Sequence, residues 1–500
     1  FPYNKGGEFK KWYGNREHVI NWENNGHDIH VNNNLPFSHQ GAPLRGKRFQ
    51  FQESITWSFI SSAYFGVRYS PPGSMFDVAG SSVFSTDSTL LKSLVAVLCS
   101  KLSEQYLNIL NPTLNFQVGN IANLPILKKI DHEHLSRLSD QCIAISKSDF
   151  DEIESSWDFR KSPLINAKES VKLSFKKYNE HAEEQTKKLF ALEEEINSYI
   201  YDSYEIDSRF RHDISLKEIT LFSNIYFKFS GNRYMFQSDQ FVDLVSYTIG
   251  CMMGRYSLDQ EGLVYAHSGN KGFSDLVDQG TYKTFPADDD GIIPLTQLEW
   301  FPDDATNRFK EFVEVVWGKD HLQENLDFVA ESLCLHAIKP KKGEAAIDTI
   351  RRYLSEQFFK DHLKIYKKRP IYWLFSSGKT KAFECLVYLH RYNESTLSRI
   401  RTAYVIPLLT KMDAYAEKLS QDRDASESAA EIKRLEKELA QLQKQQAELS
   451  SFDEKLRHYA DQRISLDLDD GVKVNYGKFG DLLANVKDVT GKKPEVIKDI

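Results

Sequence analysis

The residues best placed to do chemistry in this 500-residue chain are cations set among aromatics. One group lies early: Lys5, Lys10, Lys11, Arg45, Lys47, Arg48, Gln50 and Arg68, interleaved with Trp12, Tyr13 and Tyr69. A second contains Lys367, Lys368, Arg369, Lys379, Lys381 and Arg391, beside Tyr372. Lysine and arginine neutralise phosphates, and arginine and glutamine can also read guanine and adenine edges in the major groove. A solvated basic surface is the alternative for any single residue, but two clusters together point to double-stranded nucleic acid. Net charge is −7, so the inference rests on distribution. Residues 339–411 hold sixteen Lys/Arg against six Asp/Glu, and residues 1–130 hold twelve against eight. DNA responds to such a local field rather than to the total.

Other motifs fail on inspection. Ser70-Pro71-Pro72 matches the start of a loop that holds a flipped adenine for methylation at N6, but that loop ends in an aromatic that stacks on the base. Position 73 is glycine, and Pro-Pro-Gly is ordinary turn chemistry. No Gly-rich adenosine-binding turn follows a strand, which argues against methyl transfer by this chain alone. FSSGKT (375–380) resembles the end of a phosphate-binding loop, yet Trp373 stands where the first glycine belongs. ADDDGIIPLTQLEW (287–300) places Pro286 and Gln297 where a calcium loop needs acidic ligands. Five separated cysteines and fourteen histidines give no zinc spacing and no disulfide framework, so no metal site is expected and a reducing, cytoplasmic setting fits. No acidic cluster with a nearby lysine suggests a metal-dependent nuclease.

The elements that must position these residues read as a multidomain α+β chain, β-rich at the start and then mostly helical. With 41% hydrophobic and 13% aromatic residues it can build sizeable cores. Residues 1–130 read as mostly β, through ITWSFISSAYFGVRYS (55–70), with one helix over 89–110 whose face is Leu91, Leu94, Val95, Leu98, Leu102 and Tyr106. Residues 131–207 read as a charged helical connector, with Leu173, Leu189, Leu192 and Ile196 on its buried side. A mixed α/β segment over 208–335 and a basic helical segment over 336–411 follow. Residues 412–500 form a coiled-coil hairpin and tail, with Ile432, Leu435, Leu439, Leu442, Leu449 and Leu456 on heptad positions interrupted by Gln446 and Asp453. An antiparallel pairing with the preceding helix is expected, pairing with another subunit being the alternative. No apolar run is long enough to cross a bilayer. The chain begins at Phe1, not Met, as expected of a processed chain or a piece of a longer one.

Several stretches resemble one family: FPYNKGGEFKKWYGN (1–15), VINWENNG (19–26), ESSWDFRKSPL (154–164), LEEEINSYIYDSY (192–204), VSYTIGCMMGRYSLDQEGL (245–263), DDDGIIPL (288–295), KKRPIYWLFSSGKTKAFECLVYLHRYN (367–393), RTAYVIPL (401–408) and LDLDDGVKVNYGKFGDLL (466–483). They resemble the C-terminal part of PglX, the adenine-specific DNA methyltransferase of BREX phage-resistance systems, which is related to fused restriction-modification enzymes. The resemblance implies a target-recognition domain over 1–130, closed by GNIANLPI, then a helical connector and helical regions that brace DNA. It implies a parent that is an S-adenosylmethionine-dependent, site-specific enzyme, with its catalytic loop and cofactor site in an N-terminal half missing from this chain. No catalytic or cofactor residue therefore carries over, and the chain alone is expected to be inactive. The implied partners are double-stranded DNA, that N-terminal half and other BREX proteins, with no membrane contact. The rival expectation is a protein-interaction scaffold whose coiled coil docks other defence components.

Overall fold

A computed structural model describes residues 1–39, 41–61, 64–111, 113–166, 169–266 and 272–494. The chain divides into two units, Phe1–Phe159 with Lys176–Phe236, and Arg160–Phe175 with Gln237–Ile500.

In the first unit, β1 (Tyr3–Asn4) and α1 (His27–Asn32) precede β2 (Ser54–Trp57), β3 (Val67–Ser70), β4 (Met75–Phe76) and β5 (Ser82–Val83). β2 is the centre of an antiparallel sheet, with Thr56 opposite Arg68 on β3 and Ser82 on β5, while β1 pairs in parallel with β4. Helices α2 (Ser88–Cys99), α3 (Lys101–Leu110), α4 (Val118–Ala122), α5 (His132–Asp151), α6 (Val171–Ser203) and α7 (Ile225–Lys228) follow. Ile55, Trp57 and Val67 of the sheet share one buried cluster with Leu91, Val95 and Leu98 of α2, Leu135 and Cys142 of α5, and Leu189, Ile196 and Ile200 of α6. Each such fully buried aliphatic contributes on the order of 1.5–3 kcal/mol relative to exposure.

The expected β-rich opening is corrected: helix makes up 55% of the structure and strand only 7%, so the architecture is mixed α+β. Trp12, Tyr13, Phe65 and Phe116 are buried, but from loops and isolated bridges rather than strands. Backbone pairing breaks into isolated bridges such as Pro2–Val19, Trp12–Arg68 and Ile60–Asn115. Trp12, Asn15, Asn24, Asn25, Asn34 and Phe51 take positive φ, which no strand interior accommodates. The helix read over 89–110 is two helices. Ser100 is extended (φ −74°, ψ 157°), its hydroxyl caps α3 by accepting from Ser103 N, and the Lys101 N–H donates to Asn197 Oδ1 at 3.0 Å.

In the second unit, α8 (Arg233–Met252), α9 (Phe273–Asp278), β6 (Ile292–Pro294), α10 (Ala305–Trp317), α11 (Leu322–Cys334), α12 (Ala346–Glu356) and α13 (Phe358–Ile365) lead to the hairpin β7 (Tyr372–Ser376) and β8 (Glu384–Tyr388). β8 is the central strand, antiparallel to both β6 and β7. After α14 (Thr396–Arg399), a wide π turn over Ile400–Val405 runs into α15 (Ile406–Ala425), where Pro407 has no N–H to give the ladder. α16 (Ala429–Asp461) is the other arm of a hairpin, and Leu435, Leu442, Leu449 and Leu456 are buried along it. Both polar interruptions are bonded across the hairpin: Gln446 Nε2 donates to Asp413 at 2.7 Å, and Arg401 clasps Asp453 at 2.8 Å. Such pairs fix register, because a slip leaves each without its partner. Past α16, α17 (Gly471–Gly477) and α18 (Val486–Thr490) close the unit, and Tyr476 and Phe479 pack edge-on against Trp373 of β7.

Candidate nucleic-acid interface

In the first unit the fold sorts the early cluster into outward and inward groups. Lys5, Arg45 and Arg48 are exposed, and Lys5 and Arg45 have no ion pair among the described residues. Arg48 lies over the Phe49 ring at 4.6 Å, and Phe49 stacks on Phe84, so this cation sits on a fixed aromatic platform. Lys47 is half-buried, its ammonium at 3.1 Å from His30 Nε2 and donating to the Phe37 carbonyl. Gln50 exchanges two hydrogen bonds with the Phe76 backbone, at 3.2 and 3.0 Å, which commits its amide to holding a loop.

Lys10, Lys11 and Arg68 are corrected from surface to interior. Lys10 donates to the Thr220 carbonyl at 2.9 Å, beneath the Phe222 ring, and burial lowers its pKa to about 8. Lys11 pairs with Glu193, which also accepts from Trp12 Nε1 at 2.7 Å. Arg68 is 2% exposed, its Nε has no partner among the described residues, and burial lowers its pKa to about 10. Lys10, Lys11, Trp12 and Tyr13 are buried in succession where this segment bonds to Thr220 and Glu193, and Arg68 is buried on β3. A charge there is tolerated only when paired or hydrogen-bonded.

In the second unit, Lys367, Lys368 and Arg369 form the exposed turn from α13 to β7. Lys367 and Lys368 both take positive φ, and the Lys368 N–H closes the turn by donating to the Leu363 carbonyl at 2.7 Å. Lys364, in the last turn of α13, is exposed beside them and was missed by the cluster reading; its place one turn before Lys367 is the signal that would have found it. Lys379 is exposed in the β7–β8 loop, at the other end of β7 from that turn. Five strand residues separate the ends by roughly 17 Å, so the two groups would address different phosphates. Lys381 points back, pairing with Glu384 at 3.0 Å and donating to the Ser355 carbonyl. It lines a cleft of about 660 Å³ with Arg351, Arg352 and Arg434. Those arginines pair with Asp304, Glu344 and Glu438, while Lys341 and Lys437 on the same cleft are exposed. Arg391 donates to the Asp288 and Asp289 carbonyls at 2.6 and 2.7 Å over the Phe273 ring, and clamps the DDDG turn. Within that turn Asp288 accepts from the N–H groups of Asp290, Gly291 and Ile292, and burial followed by Asp290 raises its pKa.

The Ser70-Pro71-Pro72 stretch does not fit a base-holding loop for N6 methylation. Pro71–Ser74 is a turn joining β3 to β4, Gly73 has φ +98°, and its N–H donates to the Phe51 carbonyl at 2.9 Å. Gly73 has no ring to offer a base, and among the described residues no strand runs through a glycine-rich turn into a helix. No described helix is long and apolar enough to cross a membrane.

No family model matches the chain. It is 50% identical to the adenine-specific methyltransferase BrxX of Escherichia coli O9:H4 (strain HS), over 99% of this chain and 41% of that protein. It is 38% identical to the adenine-specific methyltransferase PglX of Lacticaseibacillus casei (strain Zhang), over 96% of this chain and 38% of that protein. The chain thus spans about two-fifths of the length of the curated relatives it matches. These alignments correct the assignment to the C-terminal portion of PglX. The chain is a homologue of both methyltransferases along nearly all of its own length, and it is more identical to BrxX than to PglX.

Proposed function

We propose that this chain recognises and braces double-stranded DNA for site-specific adenine-N6 methylation in BREX phage defence. The observation that carries the reading is the set of outward cations at fixed turns, Lys5, Arg45 and Arg48 in one unit and Lys364, Lys367, Lys368, Arg369 and Lys379 in the other. Homology to two proteins named adenine-specific methyltransferases supplies the reaction that such DNA contact would serve. S-adenosylmethionine would be the methyl donor of that reaction. We assign no residue of this chain to the donor or to the transfer step, and other BREX components are the further partners. Reversing the charge of Lys367, Lys368 and Arg369 together tests the reading. Duplex affinity should fall for all sequences alike, as phosphate contacts require, and unchanged affinity after reversal of both outward groups would overturn it.

A second reading has its own observation. In the first unit Ile60, Ile109, Leu114 and Val118 are 63%, 79%, 58% and 57% exposed. The Ile60–Asn115 bridge and the Ser61 N–H to Leu114 carbonyl bond bring two of those segments together. An apolar surface of this kind suits a protein partner, which makes the chain a scaffold with DNA contact secondary. Loss of partner co-purification in an Ile109→Ser, Leu114→Ser variant with intact duplex affinity would favour that reading.

A further inference from the structure

The FSSGKT stretch is not a nucleotide loop, yet the fold makes an oxyanion receptor of it. Ser377 Oγ donates to Glu448 Oε1 at 2.8 Å, the Thr380 N–H donates to Oε2 at 2.7 Å, and the Ala382 N–H donates to Oε1 at 3.3 Å. Both carboxylate oxygens of this α16 side chain are therefore held by β7–β8 loop donors. The loop is shaped for the purpose. Gly378 has φ +141°, where a side chain is strained, and a Cβ there would sit 3.0 Å from the Glu448 carboxylate and crowd the anion. Lys381 takes φ +50°, and the Ser377 hydroxyl is itself held by the Phe383 N–H at 3.0 Å. Against burial, which raises it, the bonds from Thr380, Ser377 and Ala382 hold the Glu448 carboxyl below the usual range. Lys379 stands exposed at the rim. Converging backbone donors with a neighbouring lysine are the chemistry that binds a phosphate.

We propose that the β7–β8 loop is a phosphate-binding nest which Glu448 occupies in the free chain, and that a backbone phosphate of duplex DNA replaces that carboxylate as DNA docks. Glu448 then acts as an internal stand-in for phosphate. Its side chain can swing away while α16 stays anchored through Leu449, Phe452 and Leu456, which are all buried. The occupant is deduced on the DNA-binding reading above; the nest itself is not.

The full chain with Glu448→Ala tests both parts. Inorganic phosphate titrated against it should shift the Thr380 and Ala382 amide resonances to saturation, where wild type responds weakly. Duplex affinity should rise several-fold at fixed salt, because no carboxylate has to be displaced from the nest, and Lys379→Glu in the same background should reverse the gain. Absence of a phosphate response in a variant that still melts cooperatively would overturn the nest, whatever DNA does. A phosphate response with unchanged duplex affinity would overturn DNA as the occupant. Failure of wild type and variant alike to bind duplex would instead sink the DNA-binding reading and leave the phosphate arm to decide the nest. Should the alanine variant not fold, Glu448→Gln keeps the side-chain volume, removes the charge and answers by the same two readouts.

Discussion

Lys11 and Lys368 both belong to basic, aromatic-rich stretches, and the fold treats them oppositely. Lys11 lies inside the first unit, paired to Glu193 with both side chains at most 5% exposed. Lys368 stands on a turn of the second unit, in a left-handed backbone conformation that a strand excludes. Bonds to Glu193 and Thr220 hold the Lys11 stretch inward whatever its charge, and the exposed turn after α13 keeps Lys368 out. Cations of the first kind bear on stability, and the proposed DNA contacts are all of the second kind.

The largest effect should come from breaking the interior kind. Glu193→Ala leaves the Lys11 ammonium buried without its partner and the Trp12 indole N–H without an acceptor, so a loss of about 3–5 kcal/mol in chemical denaturation is expected. Lys10 gives a smaller, pH-dependent contrast. Burial lowers its folded pKa from 10.5 to about 8, with Asp149 opposing the shift and Lys228 adding to it. The folded chain releases that proton before the unfolded one, so wild type gains stability as pH rises from about 8 towards 10.5. Lys10→Met has no such proton, and its stability relative to wild type should fall by about 3 kcal/mol at most across that window. Denaturation curves at both ends of the window that keep a constant offset would refute the burial of a charged Lys10.

Arg68 sharpens the comparison from the other side. Its nearest hydrogen bond, to Ser58 Oγ, is 3.5 Å long, and its Nε has no partner among the described residues. Arg68→Met should therefore cost no more than about 1 kcal/mol and leave duplex affinity unchanged; a large loss of DNA binding in the folded variant would move Arg68 back to the interface. Smallest of all, Arg45→Glu should leave the melting temperature within about a degree, since exposed substitutions away from special features stay within ~0.5 kcal/mol, while duplex binding weakens.

What could be read from the chain follows the same division. The heptad leucines of α16 announce themselves because burial there repeats every seven residues, and the polar interruptions at Gln446 and Asp453 are visible too, although their partners Asp413 and Arg401 are not. The mixed α+β class was legible in outline, but the β content of 1–130 was overread. Trp12 is buried and Phe51 half-buried at positive φ, and composition cannot tell that from a strand. The basic stretches could be located but not oriented, since Lys379 and Lys381 differ only in which way a glycine-led turn sends them. Glu448 carried no signal, because its loop partners lie some seventy positions earlier in the chain.

The most direct test of DNA binding through outward turn cations is the salt dependence of duplex affinity for wild type and for the Lys367→Glu, Lys368→Glu, Arg369→Glu variant. The account predicts a steep fall of log K with log salt in wild type and a slope shallower by about 2–3 in the variant, at ~0.9 per lost phosphate contact, with no change in melting temperature. A wild-type affinity indifferent to salt, or equal slopes for the two proteins, would contradict it.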